Sequence, residues 1–157
     1  MPTIQLKAMT RKLCHELYRH WTNDASIYMD MHLFQPYVYD EAAVNRYFDM
    51  KGQDASRRLF AIMLGDKVIG ELQLKQFDHD KKECSLSIHM QNDAVKGRGY
   101  GTQAERLAVK TAFDELGMAA VNADTIRENT RSQHVLEKVG FRFAGEDETF
   151  QYYRIER

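Results

Sequence analysis

Three glycines occupy alternate positions in a short basic segment near the middle of the chain. The segment, NDAVKGRGYGTQ at residues 92–103, combines them with two cations: Gly97, Gly99, Gly101, Lys96 and Arg98. A helical pattern of apolar residues begins directly after it. The first N–H groups of a helix lack intrahelical partners and carry partial positive charge, so they attract anions, phosphate especially. Because glycine allows close backbone approach and positive φ, the segment is a candidate site for a phosphate-bearing cofactor.

Two common phosphate-binding patterns do not fit this segment. The Walker A loop requires a lysine and then serine or threonine after its last glycine, whereas Thr102 follows Gly101 directly. The dinucleotide fingerprint requires GxGxxG after a first strand, whereas the spacing here is GxGxG in the middle of the chain. Taken alone, the segment also fits an ordinary glycine-rich turn at the start of a helix.

The hydrophobic periodicity predicts the element order β-α-α-β-β-β-α-β-α-β-β around this segment. The predicted strands cover residues 3–9, 58–64, 67–77, 83–90, 119–126, 141–147 and 149–155. The predicted helices cover about residues 10–21, 40–52, 100–116 and 129–139, and residues 22–39 are predicted to be irregular. On the third helix, Leu107 belongs to the apolar stripe, and Glu105 is predicted to lie mostly away from it.

The fourth and fifth strands are joined through the third helix. This β-α-β crossover predicts a parallel pair next to an antiparallel meander. The expected class is therefore mixed α/β, with a mostly antiparallel sheet of about seven strands flanked by about four helices. With 157 residues, two prolines and no repeats, the chain is predicted to form a single domain over residues 1–157.

Composition narrows the class of protein further. A net charge of −1 gives no reason to expect a nucleic-acid or membrane partner. The N-terminal residues lack the apolar core of a signal peptide. Cys14 and Cys84 show neither metal-ligand nor disulfide spacing. We therefore expect a cytoplasmic protein without a bound metal, in which Cys84 is a buried thiol.

Two segments resemble the motifs of the GCN5-related N-acetyltransferases. KGRGYG resembles the family's (Arg/Gln)-x-x-Gly-x-Gly/Ala cofactor motif, with Lys96 in the first place. NTRSQHVLEKVGF, residues 129–141, resembles the family's later Asn-x-x-(Ala/Ser)…Glu-Lys-x-Gly-Phe segment. Ser132 and the phrase VLEKVGF are most similar to the branch that contains the ribosomal-protein N-terminal acetyltransferases. The predicted element order agrees with the family over nearly the whole chain.

The resemblance implies that acetyl-CoA binds where two central strands separate. Backbone N–H groups from Lys96 to Thr102 would hold the pyrophosphate, and Ile88 to Met90 would pair with the pantetheine arm and polarise the thioester carbonyl. Asn129 and Ser132 would flank the arm near the sulfur. The implied cofactor contacts are Ile88, His89, Met90, Lys96, Gly97, Arg98, Gly99, Tyr100, Gly101, Thr102, Asn129 and Ser132.

The catalytic groups are less clearly marked than the cofactor contacts. Many members of the family donate a proton to the departing thiolate from a helix tyrosine, but the aligned residue here is Leu136, so the resemblance implies Ser132 as donor. Glu83 and His89 are candidate bases on one face of the fourth strand, and His32 in the irregular segment is a third. Asn129 and Ser132 also fit a simple helix cap.

The expected function is transfer of an acetyl group from acetyl-CoA directly to a primary amine. The acceptor is either a protein N-terminus or a small amine such as a polyamine or an antibiotic, and the expected assembly is a monomer or homodimer. The leucine at position 136 keeps an alternative open. In this alternative the chain is a catalytically weak CoA-binding module that acts as a sensor or interaction partner.

Overall fold

A seven-stranded sheet forms the centre of the protein. The computed structural model describes residues 3–23 and 35–157. The strands are β1 Ile4–Ala8, β2 Arg58–Leu64, β3 Lys67–Asp78, β4 Glu83–Met90, β5 Ala120–Ile126, β6 Arg142–Glu146 and β7 Phe150–Glu156. They lie in the order β1-β2-β3-β4-β5-β7-β6, and among these strands only β4 and β5 pair in parallel. The structure thus confirms the predicted mixed, mostly antiparallel sheet.

Helices cover both faces of the sheet. They are α1 Arg11–Arg19, α2 Glu41–Tyr47, α3 Tyr100–Lys110 and α4 Thr130–Val139, and α2 and α3 each continue into a π-helical turn. Because strand side chains alternate between faces, β2 contributes Ala61 and Met63 to the core beneath α1 and α2, and Ile62 to the core beneath α3 and α4. No helix within the described ranges is long and apolar enough to cross a membrane.

The buried face of α3 differs from the predicted one. Glu105 is 1% exposed, whereas Leu107 is 36% exposed, so the sequence prediction for these two residues was wrong. The helix packs against β1, β3, β4 and α4. These contacts rotate the buried face toward Glu105 and Val109, away from the row that contains Leu107. A helical wheel cannot foresee this rotation, because it depends on neighbours that are distant in sequence.

The parallel pair β4–β5 is short, and the two strands then separate. They pair only as Glu83–Ala120, Cys84–Val121 and Ser85–Asn122, although β4 continues to Met90. Beyond this point β4 remains paired with β3, and β5 remains paired with β7. In the part of the chain that the structure describes, the facing edges of the two strands therefore have no partner strand and border a gap.

Gly70 on β3 allows the end of β4 to lie close to its neighbour. A Cβ at this position would lie 2.8 Å from the His89 carbonyl oxygen and 3.1 Å from the Ile62 Cδ1 atom. The register between β2 and β3 also shifts here, from Ile62–Gly70 to Met63–Val68, which leaves Ile69 in a bulge. The β3–β4 pair therefore leaves no room for a side chain at this position, next to the strand end that borders the gap.

We predict that Gly70→Ala lowers the free energy of unfolding by roughly 1–3 kcal/mol, because the added methyl group overpacks the β3–β4 pair. Gly101→Ala is the matched control, since the added Cβ meets no atom within 4 Å and the residue is helical. That change should leave the stability unchanged or raise it by about 0.4–1 kcal/mol. Chemical denaturation measures both, and a Gly70→Ala protein as stable as the unmodified one would contradict the prediction.

Candidate active site

Two cavities of about 330 Å³ and 310 Å³ lie at the gap between β4 and β5, and we refer to them together as the cleft. Residues from β4, α3 and the start of α4 line both cavities: Ile88, His89, Glu105, Asn129 and Ser132. The structure thus brings together four residues singled out in the sequence and adds Glu105. Met90, Lys96 and Gly101 line the first cavity only.

The start of α3 lacks the side-chain cap that begins the other α-helices in the described ranges. Thr10, Asp40 and Asn129 cap α1, α2 and α4 through their side-chain oxygens. Gly99 stands at the corresponding position of α3 and offers no side-chain hydrogen bond. The first N–H groups of α3 are therefore available to an anion, as the sequence predicted for a phosphate.

The glycine segment adopts a backbone conformation that would be strained for residues other than glycine. Gly97 and Gly99 have φ angles of 71° and 83°, in the left-handed region. Gly101 has an ordinary helical backbone, but open space lies where its Cβ would be. Arg98 is exposed and donates from Nε to the Ala94 carbonyl oxygen at 3.0 Å. Of this segment, Gly101 and Lys96 line the first cavity, and Gly101 presents backbone without a side chain there.

Gln91 fixes the end of β4 against α1. It is 2% exposed, and its side-chain Nε2 donates to the Leu17 carbonyl oxygen at 2.8 Å. Its backbone donates to Ile69 O at 2.8 Å and accepts from Thr22 N at 2.9 Å. These bonds bring Trp21 and its neighbours to the first cavity. No sequence signal distinguishes this glutamine from the polar residues around it, so sequence reasoning missed it.

His89 is the predicted base that the structure places in the cleft. It lines the first cavity and stands opposite Glu71 in the β3–β4 register. Burial by the surrounding protein lowers the pKa of His89, and the negative charge of Glu71 opposes this shift only in part. A neutral imidazole at pH 7 can accept a proton. His32, the third candidate base, lies outside the described residues.

A buried acidic and aromatic network lies on the α1–α2 side of β3, behind His89. Glu71 is 3% exposed and accepts hydrogen bonds from the hydroxyls of Tyr18 and Tyr47, the latter at 2.6 Å. Burial raises the pKa of both hydroxyls, so they stay protonated donors. Trp21 stacks on Tyr18 at 4.8 Å between ring centroids and lines the first cavity. Glu71 and the two tyrosines therefore form a buried network next to the cleft, and of this group Trp21 lines the first cavity.

Glu83 lies at the opposite end of β4 from His89. Six residues of strand separate the two by about 20 Å. The Glu83 carboxylate accepts a hydrogen bond from Arg154, which also donates to Asn122 Oδ1 at 3.2 Å. Glu83 lines neither cavity of the cleft. Its position therefore gives no support to a role as base, although β4 does place it and His89 on one face.

The start of α4 combines a structural cap with the cleft wall. Asn129 Oδ1 accepts from the Ser132 backbone N–H at 3.2 Å, which is the helix cap considered from the sequence. Gln133 is 8% exposed, and its Nε2 donates to Thr125 Oγ1 and to the carbonyl oxygens of Ile126 and Arg127 at the end of β5, each at 3.2 Å. These bonds hold the helix start against the end of β5. Leu136 is buried and lines the second cavity, where it offers no proton.

Glu105 is the cleft residue that the sequence reasoning did not anticipate. Its Oε1 atom is buried and has no hydrogen-bond partner among the residues that the structure describes. Burial raises the pKa of the Glu105 carboxyl to about 8. The group is therefore largely protonated near neutral pH, which avoids an isolated buried charge.

The cleft and the sheet together define a class of protein. A sheet whose parallel central pair separates and opens onto an uncapped helix start is the fold of the GCN5-related N-acetyltransferases. Residues 4–142 match the family described as the acetyltransferase (GNAT) domain, and the chain belongs to this family. The match confirms the family that the two sequence motifs predicted.

The chain is similar to two proteins that are named as N-acetyltransferases. The chain is 34% identical over 80 residues to the probable N-acetyltransferase YjcK of Bacillus subtilis. The aligned residues make up 51% of this chain and 44% of that protein. It is 25% identical over 99 residues to the spermidine N(1)-acetyltransferase of Escherichia coli K12, covering 63% of this chain and 53% of that one. The chain thus spans about half the length of the curated relatives it matches.

A solved structure resembles nearly the whole chain. The spermidine N-acetyltransferase of Vibrio cholerae in complex with CoA and spermine superposes with a TM-score of 0.78 at 17% identity. The superposition covers 98% of this chain and 95% of that one. At this level of identity the likeness shows a shared fold.

We predict that Gly101→Val weakens CoA binding by at least about 10-fold without loss of stability, because a branched side chain would occupy the open space over the first turn of α3. Gly99→Val should also weaken binding, with added backbone strain from its φ of 83°. Isothermal titration calorimetry with CoA measures the dissociation constants.

Ala42→Val is the matched control for this experiment. Ala42 is exposed and holds the second position of α2, as Gly101 does in α3. The control should bind CoA like the unmodified protein. An unchanged dissociation constant in Gly101→Val would show that the glycine segment does not approach the ligand.

Proposed function

We propose that the chain transfers the acetyl group of acetyl-CoA directly to a primary amine. The observation that carries this proposal is the separation of β4 from β5 after three residue pairs, which leaves a cleft lined by His89, Asn129 and Ser132. Amide groups of an extended arm suit the unpaired strand edges, and phosphate suits the uncapped start of α3. The cleft is continuous with that helix start through Gly101.

The chain offers a separate set of groups for each part of acetyl-CoA. Backbone N–H groups between Lys96 and Thr102 would hold the pyrophosphate. Ile88 to Met90 would bind the pantetheine arm, and a backbone N–H there would donate to the thioester carbonyl. Such a donor acts most strongly on the negative oxygen that develops as the amine attacks.

His89 is the proposed base for the acceptor amine. An alkylammonium has a pKa of about 10 and cannot attack a carbonyl until it loses a proton. The lowered pKa of His89 keeps the imidazole neutral, and its side chain is open to the cavity. The carboxylate of Glu71 on the neighbouring strand would stabilise the imidazolium that forms.

Ser132 is the proposed hydrogen-bond donor to the departing sulfur. It lines both cavities, and the cap formed by Asn129 fixes the helix turn that carries it. The buried Leu136, in the place of the tyrosine that many members of the family use, leaves this part of the cleft without a phenol donor. The hydroxyl of Ser132 would therefore take the position next to the sulfur.

A small aliphatic amine is the acceptor class that the site favours. Trp21 lines the first cavity, and aromatic rings attract ammonium groups. The charge of Glu71 lies behind His89 on the same side and adds to this attraction. The relative from Escherichia coli is named for spermidine, and the structure from Vibrio cholerae contains spermine. Both observations support a polyamine-like acceptor.

Three finer predictions from the sequence remain predictions. The ribosomal-protein N-terminal acetyltransferase branch would make a peptide N-terminus the acceptor. A monomer or homodimer is expected, although one similar enzyme from Vibrio cholerae is described as dodecameric. Cytoplasmic location is expected from the composition.

The proposal predicts acetyl-CoA consumption with small amines. Turnover would be measured with spermidine, other diamines, an aminoglycoside and short peptides with free N-termini. We expect the highest kcat/KM with an aliphatic polyamine, and about 10-fold lower kcat in Ser132→Ala. Preference for the peptides would instead support the N-terminal acetyltransferase branch. CoA binding without turnover on any acceptor would favour the catalytically weak binding module, and absence of CoA binding would exclude both functions.

The role of His89 predicts a pH dependence. Only the neutral imidazole can accept the proton, and the pKa of His89 is lowered from the usual value of 6.5. We therefore expect kcat to be constant near neutral pH and to decrease when the pH is lowered below 6.5. His89→Gln should lower kcat by roughly 100-fold and remove this acid limb. Steady-state rates at saturating substrate, measured from pH 5 to 9 (about four units around the usual His range), test this. Retention of the limb in the variant would assign it to another group.

A further inference from the structure

We propose that Glu105, in its neutral form, is the proton donor to the thiolate that leaves when the acetyl group is transferred. This inference rests on the proposed acetyl transfer and assigns its general acid. The Glu105 side chain lines both cavities of the cleft together with His89 and Ser132.

The environment of Glu105 is unusual for a carboxyl group on a helix. The side chain is 1% exposed, and its Oε1 atom has no hydrogen-bond partner within residues 3–23 and 35–157. A buried polar atom without a partner destabilises a fold. Both cavities of the cleft reach this side chain, so a ligand in the cleft can supply the missing partner.

None of the ionisable side chains that line the cleft forms an ion pair with Glu105. The ionisable side chains that line the two cavities come from β3, β4, the glycine segment, β5 and α4: Lys75, His89, Lys96, Asp124 and Arg131. Glu105 forms an ion pair with none of them, and burial alone raises its pKa to about 8. Cys84, in the core below, has its own pKa raised by burial and is also neutral.

The chemistry of the leaving group requires such a donor. A thiol has a pKa of roughly 8.5, so a carboxylic acid with a nearly equal pKa can pass its proton to the thiolate without a large energetic cost. Ser132 can hydrogen-bond to the sulfur, but a hydroxyl that loses its proton becomes a strongly basic alkoxide. Leu136 has no proton to give. Glu105 is therefore the acid in the described cleft whose proton affinity matches the step.

The proposed step balances. As the C–N bond forms and the C–S bond breaks, the O–H bond of Glu105 breaks and an S–H bond forms on CoA. Glu105 becomes a carboxylate. An acceptor that enters as an ammonium ion loses one proton to His89 before the attack, and its nitrogen loses a second proton to water as the amide forms. Glu105 takes a proton from solvent before the next cycle, and each turnover releases one proton when the acceptor enters as an ammonium ion.

Kinetics of Glu105→Gln test the step, because glutamine keeps the size and a hydrogen-bond donor but has no transferable proton. We expect kcat to fall at least 10-fold, with the KM for acetyl-CoA changed less than 3-fold. The unmodified enzyme should lose activity above about pH 8, and the variant should lack this alkaline limb. Glu105→Asp should keep the limb and part of the activity. Glu137→Gln, an exposed carboxyl on α4, is the matched control and should behave like the unmodified enzyme.

Stability separates a catalytic role from a structural one. Glu105→Leu replaces an unpaired buried polar group by an apolar one, so the melting temperature should stay equal or rise while kcat falls. If the melting temperature and kcat fall together in both Gln and Leu variants, and the alkaline limb persists in the residual activity, Glu105 is a structural residue and the inference is wrong.

A binding experiment locates the carboxyl without requiring turnover. CoA and an analogue in which hydrogen replaces the thiol would be titrated into the unmodified protein and Glu105→Gln between pH 7 and pH 9, spanning the value of about 8 for Glu105. We expect the substitution to change the pH dependence of the dissociation constant of CoA but not that of the analogue. Equal changes for both ligands would place Glu105 against another part of the arm and overturn the inference. If the unmodified protein binds neither ligand, the proposed function falls with it.

Discussion

The early separation of β4 from β5 is the constraint on which the site depends. Two strands that stop pairing halfway each need another partner to stay extended, and β3 and β7 supply it. The bonds of Gln91 then anchor the end of β4 to α1, and the bonds of Gln133 anchor the end of β5 to α4. The gap is thus enforced from both sides, and an extended ligand can enter it without first breaking a sheet.

Much of the fold could be predicted because its signals are local. Each predicted strand and helix is present, and Asn129 caps α4 as one interpretation of its sequence required. The glycine segment could also be predicted, because the positive φ angles at Gly97 and Gly99 favour glycine at these positions. The two motifs also identified the family, which the domain match confirms.

The rest depends on contacts between distant parts of the chain. Glu105 was assigned to the polar side of its helix, because the sequence does not reveal that α3 is rotated against its neighbours. Glu83 and His89 have equivalent positions in an alternating pattern, yet only His89 lies beside the gap. Gln91 resembles any polar residue after a strand, and its buried bond to α1 follows only from tertiary packing.

Because the start of α3 has no side-chain cap, a bound ligand can take the place of that cap. Within the described ranges, α1, α2 and α4 each have a side chain that accepts a hydrogen bond from a first-turn N–H group, whereas α3 has no such cap. A phosphate that binds there would complete the helix as a side chain does elsewhere. Folding and ligand supply are then thermodynamically linked, so the fraction of unfolded chain falls as the free ligand concentration rises. Such a protein would be most vulnerable to proteolysis when its ligand is scarce.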